Sequence, residues 1–254
     1  MPGMAANPLI FEHIKLAEDQ FEMHWLEWII PLTNESLKDY AQRMNRYIKH
    51  DNIVLIGVSF GGVIVQEMGN YLKLRRLIII SSVKSREELP RRMRYAGSTG
   101  FIRLIPTSLL DYADYMEKFA VGNYLKKRIP LYRKYLSVRN TKYIDWAIKN
   151  MVNWKCDLPI KNLIHIHGDK DEIFPYKYIK GCITVKGGTH LMIVNRYKWF
   201  NKYLPEIILT GKLAKQQNIK KIKCENFKSS FDECRIDRNL CNKHSGSSGW
   251  AFCG

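Results

Sequence analysis

One short stretch of the chain has the composition of a serine-nucleophile turn. Residues Gly57-Val58-Ser59-Phe60-Gly61 have the pattern G-x-S-x-G, and they follow the apolar run Ile53-Val54-Leu55-Ile56 directly. On a sharp strand-to-helix turn a serine presents its hydroxyl to a cleft. The flanking glycines remove side chains that would clash in such a strained turn. Ser59 is therefore the candidate nucleophile.

A serine hydroxyl is a weak nucleophile that needs a base, and the base needs an acid to orient it. His190 ends the loop Lys186-Gly187-Gly188-Thr189-His190, whose glycines let an imidazole swing over Ser59. Asp169 and Asp171 both follow the apolar run 163–166. Either one could be the acid, and either could instead form a turn. The chain order Ser, Asp, His, each after a strand, indicates a catalytic triad with His190 as base.

Two nearby histidines and an N-terminal loop complete the candidate site. His165 is interpreted as a strand residue and His167 as a loop residue near the acid. A tetrahedral oxyanion needs two backbone N–H donors. Phe60, which follows the nucleophile, is one candidate, and Met4 in the loop Pro2-Gly3-Met4 is the other.

The elements that must position these residues follow an α/β pattern. Strands are predicted at 53–56, 77–80, 163–166 and 182–185, with a helix over 62–72, which indicates βαβ units and a mostly parallel sheet. Upstream, we expect a helix beginning within 9–16, a strand over 21–30, and a helix over 35–44 capped by Thr33 or Asn34.

The pattern divides the chain into four parts. Residues 1–86 and 159–210 have the character of the two halves of a core. Residues 87–158 change to helical segments rich in Tyr, Arg and Lys, which we interpret as an inserted helical lid. Its aromatics could line a substrate cleft, although aromatics at helical spacing are more often packing residues. Residues 211–254 have no periodicity and are expected to form a disordered tail.

These motifs resemble the α/β-hydrolase superfamily, and more narrowly its small bacterial members of Bacteroidetes type. The family reads P-G-x-x-A near the start, G-V-S-F-G-G at the nucleophile and H-G-D-x-D-x-x-x-P at the acid, and the chain matches at 2–6, 57–62 and 167–175. The resemblance covers roughly 2–204. It implies Asp171 as the acid, hydrolysis of a carboxylic ester or related acyl substrate (EC 3.1.1), and no cofactor.

The chain departs from that family at both ends. In the family a hydrophobic strand beside the nucleophile strand precedes the Pro-Gly loop, whereas this sequence begins at the loop. We therefore expect either a truncated start or a gap in the sheet, with unpaired backbone, wet apolar surface and poor stability. Beyond about residue 210 the tail matches nothing typical of the family.

Composition limits the remaining function classes. The formal net charge of +17 is dispersed along the 254 residues, which favours a solvated basic surface over a nucleic-acid site. We see no secretory signal and no apolar run that could span a membrane, so a cytoplasmic protein is expected. Six cysteines include no C-x-x-C pair, and no metal site is predicted. The alternatives are an inactive fragment of the fold or a basic ligand-binding protein; the sequence leaves the oligomeric state open.

Overall fold

The computed structural model describes residues 1–99, 133–156, 160 and 162–213. Its centre is a sheet of four strands in the order β1-β2-β3-β4, and each neighbouring pair is parallel. The strands are β1 (Ile53–Val58), β2 (Leu74–Ile80), β3 (Leu163–Gly168) and β4 (Ile183–Val185). This arrangement confirms the mostly parallel α/β sheet.

Helices connect and cover the strands. In chain order the described helices are α1 (Leu37–Asn45), α2 (Phe60–Gly69), α3 (Arg91–Thr99), α4 (Thr141–Asn153), α5 (Met192–Asn195) and α6 (Tyr197–Thr210). Short 3-10 turns lie at Pro8–Phe11, Arg86–Glu88 and Tyr176–Tyr178. No helix in these ranges is both long and apolar enough to cross a membrane.

The sheet separates two hydrophobic clusters because successive side chains of a strand point to opposite faces. In β2, Leu77 and Ile79 belong to the cluster that includes α1, α2 and α4 residues. Ile78 and Ile80 belong to the cluster that includes residues of Pro8–Phe11, α5 and α6. All four side chains are at most 1% exposed. A strand covered on both faces explains why 77–80 reads as a continuous apolar run.

β1 lies at one end of this four-strand order. On the edge that faces away from β2, the Met1 amine donates to Ile56 O at 2.8 Å, and Val58 N–H donates to Met1 O at 3.1 Å. Met1 thus continues the ladder by one residue. Val54 and Ile56 are only partly buried, unlike the central residues of β2.

Two predicted elements near the N-terminus are wrong. The expected helix within 9–16 is reduced to the 3-10 turn at Pro8–Phe11, and the expected strand over 21–30 is absent. A strand persists only where its backbone pairs with a neighbouring strand. Here Ile29 instead exchanges hydrogen bonds with a side chain, since its N–H donates to the Tyr40 hydroxyl at 3.1 Å and its carbonyl accepts from that hydroxyl at 3.0 Å.

The cap of α1 also differs from the prediction. Ser36, rather than Thr33 or Asn34, is the N-cap, and its Oγ accepts from the Asp39 N–H at 3.1 Å. Asn34 lies in the left-handed region, with φ of 58°, where it turns the chain before the cap. Local sequence offers several capping residues here, and packing selects among them.

About half of the expected lid, residues 100–132 and 157–158, lies outside the described residues, as does the tail beyond residue 213. Of the lid aromatics that are described, Tyr143 and Trp154 are buried in the cluster shared with α2, and Trp146 packs against the same cluster. Tyr135 donates its hydroxyl hydrogen to Glu12 at 2.6 Å. These four are packing residues. Tyr112, Tyr115, Phe119, Tyr124 and Tyr132 lie outside the described ranges.

Candidate active site

Ser59 occupies the turn between β1 and α2. Its backbone has φ of 53° and ψ of −123°, which is rare for a residue with a side chain. Three hydrogen bonds hold the turn: Ser59 N–H donates to Ile80 O at 2.9 Å, and Ser59 O accepts from Gly62 N–H at 2.9 Å and from the Ser82 hydroxyl at 2.7 Å. The conformation places the side chain at the carboxyl edge of the sheet.

Two glycines make this turn sterically possible. A Cβ atom on Gly57 would lie 2.4 Å from Gly61 O, and a Cβ atom on Gly61 would lie 2.2 Å from Pro2 O. Both distances are too short for any side chain. The G-x-S-x-G spacing therefore reflects close backbone packing on two sides of the turn.

The structure brings Ser59, His190 and Asp171 together from positions far apart in the chain. His190 Nε2 lies 2.9 Å from Ser59 Oγ. His190 Nδ1 lies 2.9 Å from Asp171 Oδ2 and 3.1 Å from Asp171 Oδ1. The Asp171 side chain is fully buried, whereas that of His190 retains 18% exposure. Hydrogen-bond distances at both imidazole nitrogens are what a base held between an acid and a nucleophile requires.

The turn after β3 fixes the Asp171 carboxylate. Its Oδ1 accepts from the N–H groups of Ile173 and Phe174, each at 2.9 Å. Burial raises the pKa of Asp171, but the charge and hydrogen bond of His190 and the Phe174 N–H lower it, and the net pKa lies below the usual value. The carboxylate is therefore ionised at neutral pH.

Asp169, the alternative acid, has a different place. Its Oδ1 accepts from Gly187 N–H at 2.6 Å, and the neighbouring Lys170 N–H donates to Gly188 O at 2.9 Å. These bonds join the loop after β3 to the loop that carries His190. Asp169 thus ties the two loops, while Asp171 contacts the imidazole.

His165 and His167 form a buried chain behind Asp171. Both lie within β3, so His167 is near the acid as expected but is a strand residue and not a loop residue. His167 Nε2 lies 2.9 Å from Phe174 O, which can only accept, so this nitrogen carries hydrogen. Burial lowers the pKa of both histidines. A neutral His167 then accepts at Nδ1 from His165 Nε2, 3.2 Å away.

The role of His167 is the feature that sequence reasoning missed. By holding Phe174 O, it fixes the turn whose N–H groups bind Asp171, and its Nε2 is itself 3.5 Å from Asp171 Oδ2. The signal was available as a His-x-His pair at the end of a strand, with the second histidine four residues before the acid.

The N-terminal loop lies beside the nucleophile. A Cβ atom on Gly3 would lie 3.3 Å from Ser59 Cβ and 4.0 Å from Ser59 Oγ. Trp28 anchors this loop, because its Nε1–H donates to Gly3 O at 2.9 Å and its ring stacks on that of Phe60 with centroids 5.5 Å apart. Phe60 is the first residue of α2, where N–H groups have no partner within the helix. Met4 and Phe60 thus flank the Ser59 region, and their roles as donors stay predictions.

Two concave surfaces in the described ranges lie away from Ser59. They share Lys38, Glu67 and Trp154, of which Glu67 belongs to α2. Neither includes a triad residue. The chemistry of the triad, rather than the shape of these concavities, identifies the candidate site.

Comparisons with known proteins agree with this geometry at the level of fold. No protein-family model matches the chain, and no curated protein matches it. A hydrolase from Oleispira antarctica superposes with a TM-score of 0.56 at 10% identity, covering 82% of this chain and 89% of that one. A thermophilic esterase from Thermogutta terrifontis superposes with a TM-score of 0.52 at 12% identity, covering 82% of this chain and 87% of that one.

A third solved structure, from work on carboxylesterases of the thaumarchaeon Nitrososphaera gargenis, gives a TM-score of 0.51 at 16% identity and covers 84% of this chain and 90% of that one. Identities this low show the shared fold and leave the reaction to be argued from the residues of the site.

The close packing of Gly61 generates the first prediction. We expect Gly61→Ala to lower the free energy of unfolding by about 2–3 kcal/mol, because its Cβ meets backbone that cannot move aside. Gly69→Ala, in the same helix, is the control. Its Cβ would meet side-chain ends, the nearest being Leu74 at 3.3 Å, so the change should stay within about 1 kcal/mol. Urea unfolding measures both; equal stabilities would contradict the packing argument.

The lowered pKa of Asp171 generates the second prediction, which concerns stability at low pH. A carboxyl whose folded-state pKa is depressed contributes stability above its unfolded pKa, about 3.9, and loses it as the pH falls through the folded value. The free energy of unfolding should therefore decline below about pH 4 in the unmodified chain and decline less steeply in Asp171→Asn. Asp19→Asn, an exposed site, is the matched charge control. Parallel curves for all three proteins would show that Asp171 does not carry the effect.

Proposed function

We propose that this chain, which has the α/β-hydrolase fold, is a serine hydrolase of a carboxylic ester or related acyl substrate. The observation that supports this most is the hydrogen-bonded chain Ser59–His190–Asp171, with Oγ to Nε2 and Nδ1 to Oδ2 distances both of 2.9 Å. Its three members come from three loops at one edge of the sheet. A binding protein has no need of such an arrangement.

In the proposed reaction, Ser59 Oγ attacks the substrate carbonyl carbon while His190 Nε2 takes the hydroxyl proton. Asp171 stabilises the imidazolium and holds its tautomer. The tetrahedral intermediate collapses, the bond to the leaving alcohol breaks, and the alcohol leaves with the proton from His190. Water then attacks the acyl-enzyme by the same route, His190 again acting as base, and releases the acid and free Ser59.

The negative charge of the tetrahedral intermediate requires donors that are in place beforehand. The backbone N–H of Phe60 and that of Met4 are the proposed pair. The position of Gly3 against Ser59 and the Trp28 anchor of the same loop support Met4. No metal or cofactor takes part in this scheme.

Covalent labelling with a fluorophosphonate tests the proposal without knowledge of the true substrate. We expect the probe to label Ser59 in the full chain, and we expect Ser59→Ala and His190→Ala to abolish labelling. Ser85→Ala, outside the triad, should be labelled normally. A folded chain, verified by circular dichroism, that remains unlabelled would contradict the proposal and favour the alternative of a basic ligand-binding protein.

The second donor is tested by removing its hydrogen. Met4→Pro lacks the backbone N–H and should lower kcat on an activated ester by about 10²–10³-fold. Met4→Leu keeps the N–H and similar volume and should retain near-normal kcat. Thermal unfolding of both variants shows whether the loop remains folded. A folded Met4→Pro variant with unchanged kcat would exclude Met4 as a donor and leave the triad assignment intact.

A further inference from the structure

A cluster of metal-ligating side chains lies away from the triad. Glu22, His24 and His50 each offer one ligand atom, and these atoms all lie within 4.8 Å of one another. His24 Nε2 is 2.9 Å from Glu22 Oε1. The His24 and His50 rings are stacked, with centroids 4.0 Å apart and an interplanar angle of 26°. All three residues are exposed.

The fold brings this cluster together from two segments. Glu22 and His24 belong to the stretch 21–32, which has neither helix nor strand. His50 lies between the end of α1 and the start of β1. At these residues neither segment is part of a helix or strand. The two segments therefore meet in this cluster through their side chains.

The donor set selects a class of ion. Two imidazoles and one carboxylate are ligands that zinc accepts, with bond lengths near 2.0–2.2 Å. Hard ions such as Mg²⁺ and Ca²⁺ prefer oxygen ligands and would use only Glu22 well. Tetrahedral zinc needs its ligand atoms roughly 3.3 Å apart and both imidazole lone pairs directed at the ion. The two rings, now 26° from parallel, must therefore rotate out of their stack to bind it, and their exposed positions leave room for that rotation. A fourth position would remain for water.

We propose that Glu22, His24 and His50 bind one Zn²⁺ ion that joins the 21–32 segment to the residues before β1. The 21–32 segment contacts the N-terminal part of the chain through two tryptophans. Trp25 stacks on Phe11 with centroids 5.2 Å apart, and Trp28 holds the carbonyl of Gly3. Zinc at this cluster thus secures the stretch that anchors the loop beside Ser59, without contacting the triad.

Titration of the full chain with ZnCl₂, followed by calorimetry, tests the site. Cysteines elsewhere can also bind zinc, so the informative quantity is the difference between variants. We expect His24→Ala and His50→Ala each to lose one zinc equivalent that the unmodified chain binds. His13→Ala is the matched control, because His13 is also exposed and beside a carboxylate, Glu12, at 3.5 Å. It should bind the same number of ions as the unmodified chain.

Thermal unfolding supplies a second readout. Zinc should raise the Tm of the unmodified chain and of His13→Ala by a few degrees, because an ion that binds only the folded state stabilises it. The rise should be lost in both cluster variants. Circular dichroism verifies that these variants fold without zinc. Unchanged zinc stoichiometry together with an unchanged Tm response in folded His24→Ala and His50→Ala would overturn the proposal.

Discussion

The turn at Ser59 depends on close packing, because its φ of 53° is unfavourable for a residue with a side chain. The backbone of Gly61 lies against that of Pro2, and the Ser59 carbonyl is held by Gly62 and Ser82. The turn and the N-terminal loop therefore hold each other in place. This pair fixes where the Ser59 hydroxyl meets His190.

The remaining site residues are secured by backbone contacts between loops. Gly168 and Gly188 approach so closely that a Cβ on Gly168 would lie 2.2 Å from Gly188 O, and Asp169 bonds the loop that leads to His190. The buried His167 fixes the turn that binds Asp171. The result is a carboxylate and an imidazole held in hydrogen-bond contact beside Ser59.

The other edge of β1 is the least regular part of the described sheet. Among the described residues Met1 bonds to this edge, and the stretch 21–32 is held by side chains such as Trp28 and Tyr40 instead of by a strand ladder. Such a segment has few backbone bonds and is a place where local stability is low. An ion bound at Glu22, His24 and His50 would stabilise this segment of low local stability.

The sequence by itself determined the four strands, the helix after Ser59 and the identity of Ser59 and His190 as partners. Those features rest on local signals: apolar runs, and glycines where backbone approaches closely. Local patterns left Asp169 and Asp171 as alternatives, and only the family resemblance favoured Asp171. The contact of Asp171 with His190, the buried His165–His167 pair, the Ser36 cap and the loss of the 21–30 strand were decided by tertiary structure. Each of these features depends on contacts between segments that are distant along the chain. Such contacts form only when the sheet brings the loops together, so the order of residue types does not reveal them.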